Sequence, residues 1–440
     1  MLPKPDFAAH REALLARLAP DEAVLLFANP VQQRSRDTDF RFRQDSDLWW
    51  ASGWPHPEAA VFLRPGEAPF TMFVQPRDPV AEVWIGRRPG PEGAIARYGA
   101  SEAFPIQELE VQLTRLIQGV STLHYGFGVN ADHDQLLLRC IQTAARAARR
   151  NGLAVPETFH SPSKLLHELR LFKTPDELAV LREAARITCE AHIDGMRAGA
   201  AGQGEHEVEA AIEYAFRRHG GSGPGYTNIC AAGDNACILH YIENDDVIEP
   251  GELVLVDAGC ELHGYTADVT RTWPASGRFT EPQRHIYEHV LAAQEAALEA
   301  CRPGAAFLDV HDAAVKRLTE AMVSLGLLDG EVDDLIRDER FKRYYMHGTS
   351  HWLGLDVHDV GTYARDGASR TLEPGMVLTV EPGLYIPPDD EDAPAHLRGI
   401  GVRIEDDVLI TTDGHEILTA AVPKTVPEIE ALCARTTESA

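Results

Sequence analysis

Short apolar runs that end in proline dominate the first third of the chain. AVLLFANP, AAVFLRP and FTMFVQP, which begin at Ala23, Ala59 and Phe70, are typical of buried strands bounded by turn residues. IQELEVQLTRLI and DQLLLRCIQTAARAARR instead carry an apolar residue every three or four positions, which is the period of an amphipathic helix. Strands that alternate with helices in this way predict an α/β domain with a mixed sheet.

Helix signals become stronger after a break at Ser161-Pro162-Ser163. The run from Thr174 to Glu177 offers a Thr N-cap, a Pro in the first turn and a Glu three residues after the cap, so a long helix is predicted to about Arg197. Further helices are predicted over 205–219, from 280 onward, and over 309–325. The change of pattern predicts two domains, residues 1–170 and 171–440.

Two strands of the second domain share one sequence pattern. EPGELVLVDAG begins at Glu249 and EPGMVLTVEPG begins at Glu373, and each places an acid, Asp257 or Glu381, seven residues after its proline. Because side chains alternate along a strand, each acid shares a face with residues that the strand buries. The repeat predicts two related halves, each made of a helix pair followed by an antiparallel hairpin.

A second acid follows in each half, Asp268 in GYTADVTRT and Glu405 in GIGVRIEDDVLI. A single acid beside a glycine is often a solvent-facing strand end, but four carboxylates that converge cannot all stay ionised, because burial and mutual repulsion each disfavour the charge. Arg271, Arg398 and Arg403 are the nearby cations in sequence. One or two divalent metal ions would neutralise the acids better.

Three histidines, His347, His351 and His358, lie within twelve residues of the sequence HGTSHWLGLDVHDVG. The stretch is too rich in Gly and Ser for a stable helix, so we expect a loop that leads into a strand. Imidazole together with carboxylates is a typical ligand set for a divalent first-row metal. The stretch therefore predicts the missing ligand type for the acids.

With these residues in place, the chain resembles the aminopeptidase P branch of the pita-bread metallopeptidases, in which Asp, Asp, His, Glu and Glu bind the metal. The matching residues, in order, are Asp257, Asp268, His351, Glu381 and Glu405. CILHY, RLFKTPDE, RQDSDLWW and AEVWIGRR also resemble that branch, so the likeness covers nearly the whole chain. It implies an α/β N-terminal domain and an α+β pita-bread (creatinase/aminopeptidase-like) catalytic domain with a pseudo-twofold repeat.

The resemblance also implies a mechanism, which is hydrolysis of an N-terminal Xaa-Pro bond by water activated between two divalent ions, with Mn²⁺ as the expected metal. Asp268 and Glu405 would bridge the ions, Asp257 would complete one ligand shell, and His351 and Glu381 the other. Glu381 would also carry a proton from the water to the leaving nitrogen. The expected substrates are peptides with proline in the second position.

The substrate site is implied by resemblance as well. His358 would stabilise the developing oxyanion, while His240 and His347 would wall a pocket for the proline ring. Arg403 belongs to the same site and, two residues before Glu405 on one predicted strand, is expected to hold an acid. In the family, residues of the N-terminal domain reach the active site of a neighbouring subunit, and the resemblance assigns this role to Asp37 and Trp84 here. We therefore expect residues 1–170 to serve oligomerisation and active-site access, in a homotetramer.

Composition limits the possible partners and the cellular location of the protein. The formal net charge of −27 disfavours binding to nucleic acid or to an anionic membrane, because both need a basic face. No apolar run approaches the roughly 20 residues of a membrane span, and the N-terminus lacks the apolar core of a secretory signal. The seven cysteines are scattered without CxxC spacing, which favours reduced thiols and a cytoplasmic protein.

Three other functions share this fold. A prolidase would use the same ligands but cleave only Xaa-Pro dipeptides. A creatinase-like amidinohydrolase would need no metal, and a peptide- or histone-binding module would have lost several ligands. All five ligand positions are filled in this sequence, which favours the metallopeptidase.

Overall fold

The computed structural model describes residues 2–437 of the chain, and these form two compact units. One unit is Asp6–Arg170. The other contains Leu171 and the residues that follow it, together with the short stretch before Asp6.

The N-terminal unit is built around a six-stranded sheet with the strand order β6-β5-β4-β1-β7-β8. Its strands are β1 Glu22–Phe27, β2 Gln33–Ser35, β3 Thr38–Asp39, β4 Ala60–Leu63, β5 Phe70–Val74, β6 Glu102–Pro105, β7 Thr122–His124 and β8 Thr158–His160, of which β2 and β3 form a separate hairpin. Its helices are α1 Phe7–Leu15, α2 Ser46–Ser52, α3 Pro79–Ile85, α4 Gly90–Tyr98, α5 Leu109–Leu116, α6 Ala131–Asn151 and α7 Leu166–Leu171.

The predicted mixed sheet of this unit is confirmed. Strand β1 pairs antiparallel with β4 and parallel with β7, while β5 pairs antiparallel with β4 and parallel with β6. The three apolar runs of the sequence form β1, β4 and β5, and all residues of β4 and β5 are buried. Helices α5 and α6 close one core over the sheet through side chains such as Leu113 and Leu137, neither of which is exposed.

The C-terminal unit contains four long helices and several short antiparallel sheets. Its helices are α8 Pro175–Ala198, α9 Glu205–Arg218, α10 Glu281–Ala300, α11 Phe307–Ser324, α12 Val332–Arg337 and α13 Val426–Thr437. Its strands are β9 Gly223–Pro224, β10 Ile229–Ala232, β11 Leu253–Asp257, β12 Cys260–Leu262, β13 Tyr265–Thr266, β14 Thr270–Pro274, β15 Ala364–Arg365, β16 Ala368–Ser369, β17 Val377–Val380, β18 Gly383–Ile386, β19 Ile400–Arg403, β20 Asp406–Ile410 and β21 His415–Ile417.

The helices begin where capping residues place them. Thr174 and Glu177 form the predicted capping box of α8, since Glu177 N–H donates to Thr174 Oγ1 at 3.3 Å and Thr174 N–H donates to Glu177 Oε2 at 2.7 Å. Helix α11 begins at Phe307, two residues before the predicted start, because Asp309 accepts from the N–H of Ala306 and is itself part of the N-terminal cap. Over residues 2–437, no helix combines the length and the apolar character that a bilayer crossing requires.

The predicted repeat is present as two three-stranded antiparallel sheets, β10-β11-β14 and β17-β20-β21. Each follows a packed helix pair, α8 with α9 in the first half and α10 with α11 in the second. The acids predicted at the strand ends lie there, Asp257 as the last residue of β11 and Glu381 directly after β17. The two halves therefore present their acids from equivalent strands.

Candidate active site

Asp257 and Asp268 come together at the open end of the first hairpin. Asp257 ends β11, and Asp268 lies two residues before β14, which pairs with β11 along its whole length. A two-residue turn of His263 and Gly264, both with positive φ, joins β12 to β13 and returns the chain toward Asp268. The hydroxyl of Tyr226 hydrogen-bonds Asp257 Oδ1 at 2.6 Å and also contacts Asp268 Oδ1. This shared partner fixes the two carboxylates side by side.

Glu405 lies where the chain passes from one sheet to another. We expected Arg403 and Glu405 on one strand, and this expectation was wrong, because β19 ends at Arg403 in the sheet with β18 and β20 begins at Asp406 in the sheet with β17. Glu405 is nevertheless held firmly. Its N–H donates to the carbonyl of Thr270 at 3.1 Å, and its Oε2 accepts from Thr270 Oγ1 at 2.7 Å. Thr270 belongs to the first half, so this contact joins the two halves at the acids.

A glycine follows each strand-end acid by two residues, and the close approach of another part of the chain explains both. A Cβ on Gly259, after Asp257, would overlap the carbonyl oxygen of Ala267. A Cβ on Gly383, after Glu381, would overlap the hydroxyl of Tyr385. The two glycines of the repeat thus let the chain fold tightly behind each acid.

The segment that carries His351 is a loop, as expected, but its backbone also pairs with β17. Backbone hydrogen bonds link Leu353 N to Val377 O at 3.0 Å, Thr379 N to His351 O at 3.0 Å and Glu381 N to Thr349 O at 2.8 Å. The segment is irregular apart from this pairing, and the next strand, β15, starts only at Ala364. The expected loop is therefore correct, but the expected strand directly after it is not.

This pairing aims the His351 ring at the acids. His351 Nδ1 donates to the carbonyl of Trp352 at 3.0 Å, which directs Nε2 toward Asp268 Oδ2 at 3.4 Å and Glu381 Oε1 at 3.5 Å. A histidine that donates through one nitrogen to a backbone carbonyl is oriented to bind a metal with the other. Ligand atoms of Asp268, His351 and Glu405 all lie within 4.8 Å of one another.

The acids repel one another strongly. Burial and the neighbouring Asp257 raise the pKa of Asp268. Burial, together with the charges of Asp268, Glu381 and Asp257, raises the pKa of Glu405 well above its usual range. Burial is also the main reason that the pKa of Glu381 rises to about 7. Although burial opposes its protonation, Asp268 and Glu381 raise the pKa of His351 to about 9. The cluster therefore holds more negative charge than its own cations balance.

Arg403 is the cation that faces these acids from within the protein. Its Nη2 donates to Asp257 Oδ2 at 2.7 Å, its Nε to Thr270 Oγ1 at 3.0 Å and its Nη1 to Tyr385 Oη at 3.1 Å, and only 4% of the side chain is exposed. Burial alone would raise the pKa of Asp257, but Arg403 and Tyr226 outweigh burial and lower it. Arg403 thus holds an acid, as the sequence predicts.

The five predicted ligands fit a divalent cation. Four carboxylates and one imidazole nitrogen converge with an excess of negative charge, and oxygen ligands with one imidazole suit hard to borderline divalent ions. The Trp352 carbonyl accepts from His351, and the Thr270 and Tyr226 hydroxyls donate to Glu405 and Asp257, so these three ligand groups are oriented from outside, as is typical around a bound metal. We infer that a metal ion compensates the remaining charge.

The four acids line a cavity of about 710 Å³. His240, His347 and His358 all line this cavity, as does Arg403. His347 Nδ1 donates to the carbonyl of Gly348 at 2.7 Å and its Nε2 accepts from the Tyr385 hydroxyl at 2.8 Å. Burial, with Arg403 close by, lowers the pKa of His347 to about 3, so this ring is neutral. The cavity also has apolar walls, formed by Ile229, Leu239, Ile242, Val357 and Tyr363 among others.

Asp37 and Trp84 belong to the N-terminal unit, and both side chains are exposed there. Asp37 lies in the turn between β2 and β3, and Trp84 lies on α3 with 85% of its surface exposed. Val80, Val83 and Ile85 on the same helix are also exposed. Their role at a neighbouring subunit stays a prediction.

Tyr226, Tyr385 and Thr270 contact the site, and sequence reasoning missed all three. Tyr226 lies between β9 and β10 in an irregular segment, far in sequence from the acids that it contacts. Tyr385 follows the second repeat on β18, and Thr270 follows Asp268 at the start of β14. Single hydroxyl side chains carry no spacing signal, although the position of Thr270 two residues after an acid could have suggested it.

Two family models match the chain. Residues 179–412 match the model of metallopeptidase family M24, and residues 7–125 match the model of the aminopeptidase P N-terminal domain. The first match contains all five residues that converge in the cavity. The second lies within the unit that contains the mixed sheet.

Individual relatives match over almost the full length. The Xaa-Pro aminopeptidase of Escherichia coli K12 is 44% identical over 430 residues, which cover 97% of each chain. The structure of the Pseudomonas aeruginosa aminopeptidase PepP is 46% identical, with a TM-score of 0.97 over 100% of both chains. Zinc-substituted E. coli aminopeptidase P in complex with product is 44% identical, with a TM-score of 0.94 over 98% of both chains.

Proposed function

Because the chain belongs to metallopeptidase family M24, and within it to the aminopeptidase P branch, we propose that it removes the first residue from peptides whose second residue is proline. It is a metallo-exopeptidase with a divalent metal site. The observation that carries the proposal is that four carboxylates and His351 line one cavity together with three more histidines.

Five residues would hold two metal ions. Asp257, Asp268, His351, Glu381 and Glu405, which all line the cavity, would supply the ligands, and Asp268 and Glu405, one from each half, would be shared between the ions. When bound, divalent ions polarise the scissile carbonyl and lower the pKa of an attacking water toward about 7. Mn²⁺ suits a mostly oxygen ligand set with one imidazole, and we propose it as the metal.

Glu381 is the proposed carrier of the proton. It lines the cavity, with its Oε1 3.5 Å from His351 Nε2 and its Oε2 3.7 Å from His347 Nδ1. From this place its carboxylate would accept a proton from the attacking water and deliver it to the nitrogen of the leaving proline.

The cavity histidines would bind the peptide. His358 is exposed within the cavity, and its ring lies edge-on to the His351 ring at 4.4 Å between centroids. A hydrogen bond from His358 to the scissile carbonyl would stabilise the oxyanion that develops there, by about 2.7–4 kcal/mol. His240 and the neutral His347 would flank the proline ring.

Selection of proline has a physical basis. An Xaa-Pro bond has no N–H, so it does not need a hydrogen-bond acceptor at the leaving nitrogen, and the rigid ring fixes φ near −65°. A pocket shaped for that ring favours proline over a flexible side chain. The acids of the site would attract the free α-amine of the substrate.

The remaining parts of the proposal concern the whole protein. Residues 1–170 would serve assembly and access, with Asp37 and Trp84 reaching the active site of a neighbouring subunit in a homotetramer. The exposed apolar side chains of α3 support such an assembly, because an apolar patch of this kind commonly marks an interface. All seven cysteines are free thiols, which supports a reducing, cytoplasmic location.

A comparison of three peptides tests the function. The Mn²⁺-loaded protein is expected to release alanine from Ala-Pro-Ala, and to leave Ala-Ala-Ala largely uncut, while His351→Ala serves as the inactive control. Turnover of the dipeptide Ala-Pro without turnover of Ala-Pro-Ala would indicate a prolidase. Tight binding of Ala-Pro-Ala without turnover would indicate a binding module and overturn the proposal.

A further inference from the structure

The two histidines His351 and His358 are held by different means. His351 lies in the segment that pairs with β17 through backbone hydrogen bonds on both sides of it. His358 lies beyond this pairing, in an irregular stretch between Gly354 and Gly361. The backbone pairing therefore positions the proposed metal ligand His351, and other contacts must position His358.

Asp359, the next residue after His358, forms a deeply buried ion pair. Lys173 Nζ lies 2.9 Å from Asp359 Oδ2, with only 1% and 2% of the two side chains exposed. The N–H of Asp359 donates to the carbonyl of Trp352 at 2.8 Å, the same oxygen that accepts from His351 Nδ1. The ion pair thus anchors the residue directly after His358, and the backbone hydrogen bond ties the same residue to Trp352, next to His351.

Lys173 is a rigid anchor for this ion pair. It precedes Thr174, the N-cap of α8, and its own N–H donates to the carbonyl of Gly375 at 2.9 Å. Gly354 packs directly against the pair, since a Cβ there would overlap Asp359 Oδ2 and lie 3.0 Å from Lys173 Cε. The carbonyl of Gly354 accepts from Thr266 N–H at 2.9 Å, which ties the same segment to the first hairpin.

We propose that Lys173 is a positioning residue for His358, and that it acts through the Asp359 carboxylate to hold the His358 imidazole where the scissile carbonyl is polarised. The inference rests on the proposed role of His358 in peptide hydrolysis. Burying two charges costs free energy that an apolar pair would not, so the precise placement of the adjacent segment is the benefit that this ion pair supplies. Lys173 itself is not one of the residues that line the cavity.

A double-mutant cycle tests the coupling, with Ala-Pro-Ala as substrate and the Mn²⁺-loaded full-length protein. Lys173→Met is expected to lower kcat on the order of 10²-fold, because a displacement of about 1 Å is enough for such a loss. In the His358→Ala background the same change is expected to lower kcat by less than about threefold, since the group that Lys173 positions is already gone. The affinity of Lys173→Met for Mn²⁺ is expected to stay unchanged, because backbone hydrogen bonds to β17 position His351.

The controls separate a positioning role from a general loss of structure. Leu318→Ala opens a cavity in the same unit, on helix α11, which contributes no residue to the cavity lining, and is expected to lower the melting temperature without the loss in kcat. Lys173→Met/Asp359→Asn removes both charges, and serves where Lys173→Met does not fold. Equal losses in the wild-type and His358→Ala backgrounds, or an unchanged kcat in the charge-free double variant, would overturn the inference. If His358→Ala alone leaves kcat unchanged, the proposed role of His358 fails instead.

Discussion

Arg271 Nη2 lies 2.7 Å from Asp406 Oδ1, and neither side chain is exposed to solvent. The two residues come from different halves of the repeat, Arg271 from β14 and Asp406 from β20. Arg271 pairs with the residue before Asp257, and Asp406 directly follows Glu405. Arg271 also donates to the carbonyl of Glu405 at 2.5 Å, and Lys424 donates to the second oxygen of Asp406 at 2.7 Å. This buried network fastens the two halves together directly behind the metal site.

Arg271→Met is expected to lower the free energy of unfolding by about 3–5 kcal/mol, because it removes the main partner of a fully buried carboxylate. Urea denaturation of the metal-free protein measures the change. The matched control is Arg182→Met, which breaks an exposed ion pair with Glu416 and is expected to cost no more than about 1 kcal/mol. Similar losses for the two variants would show that the buried network does not hold the halves together.

Tyr226→Phe is expected to weaken metal binding about 10-fold to 100-fold while the fold stays intact. The change removes the hydroxyl that Asp257 and Asp268 share, and groups that orient ligands from outside commonly contribute this much. Isothermal titration of the metal-free protein with Mn²⁺ measures the affinity. Tyr214→Phe on α9, where the ring is 65% exposed, should bind Mn²⁺ like the wild type. An unchanged affinity in Tyr226→Phe would contradict the assigned contact.

Gly259→Ala is expected to destabilise the protein by about 1–3 kcal/mol or more, since the new methyl group would overlap the carbonyl of Ala267 behind Asp257. Thermal unfolding followed by circular dichroism measures the loss. Gly414→Ala is the control, because a Cβ at Gly414 meets no atom within 4 Å. A Gly259→Ala protein as stable as Gly414→Ala would mean that the tight fold behind the acid is not required.

The sequence predicted the fold class and the family correctly, because these depend on local patterns and on a long resemblance. The mixed sheet of the N-terminal unit follows from strand runs separated by amphipathic helices. The pita-bread repeat follows from the Glu-Pro-Gly unit, which fixes the distance from a turn to an acid and so predicts Asp257 and Glu381 at equivalent strand ends.

Tertiary contacts explain what the sequence did not reveal. GVRIEDDVLI looks like one continuous strand, so the transfer of the chain between two sheets at Glu405 leaves no local signal. Tyr226 meets Asp257 only after folding, 31 positions away in sequence. The pair of Lys173 and Asp359 joins residues 186 positions apart, a distance at which spacing patterns carry no information.

His351→Ala is expected to abolish hydrolysis of Ala-Pro-Ala and to weaken Mn²⁺ binding, with little change in the far-ultraviolet circular dichroism spectrum. The reason is that the imidazole supplies the one nitrogen among the converging ligand atoms. His415→Ala is a control outside the cavity, where the ring donates to the carbonyl of Cys301, and it should retain activity. Full activity of His351→Ala would remove this residue from the ligand set.

The most direct test of the central claim is a metal titration coupled to an activity assay. Protein stripped with a chelator is expected to have no turnover of Ala-Pro-Ala, and activity should return as Mn²⁺ fills the sites, reaching its maximum at two ions per chain. The physical reason is that burial and mutual repulsion disfavour the charged forms of Asp268, Glu381 and Glu405, and bound divalent cations would stabilise those charged forms. Undiminished turnover by protein verified as metal-free would contradict the account.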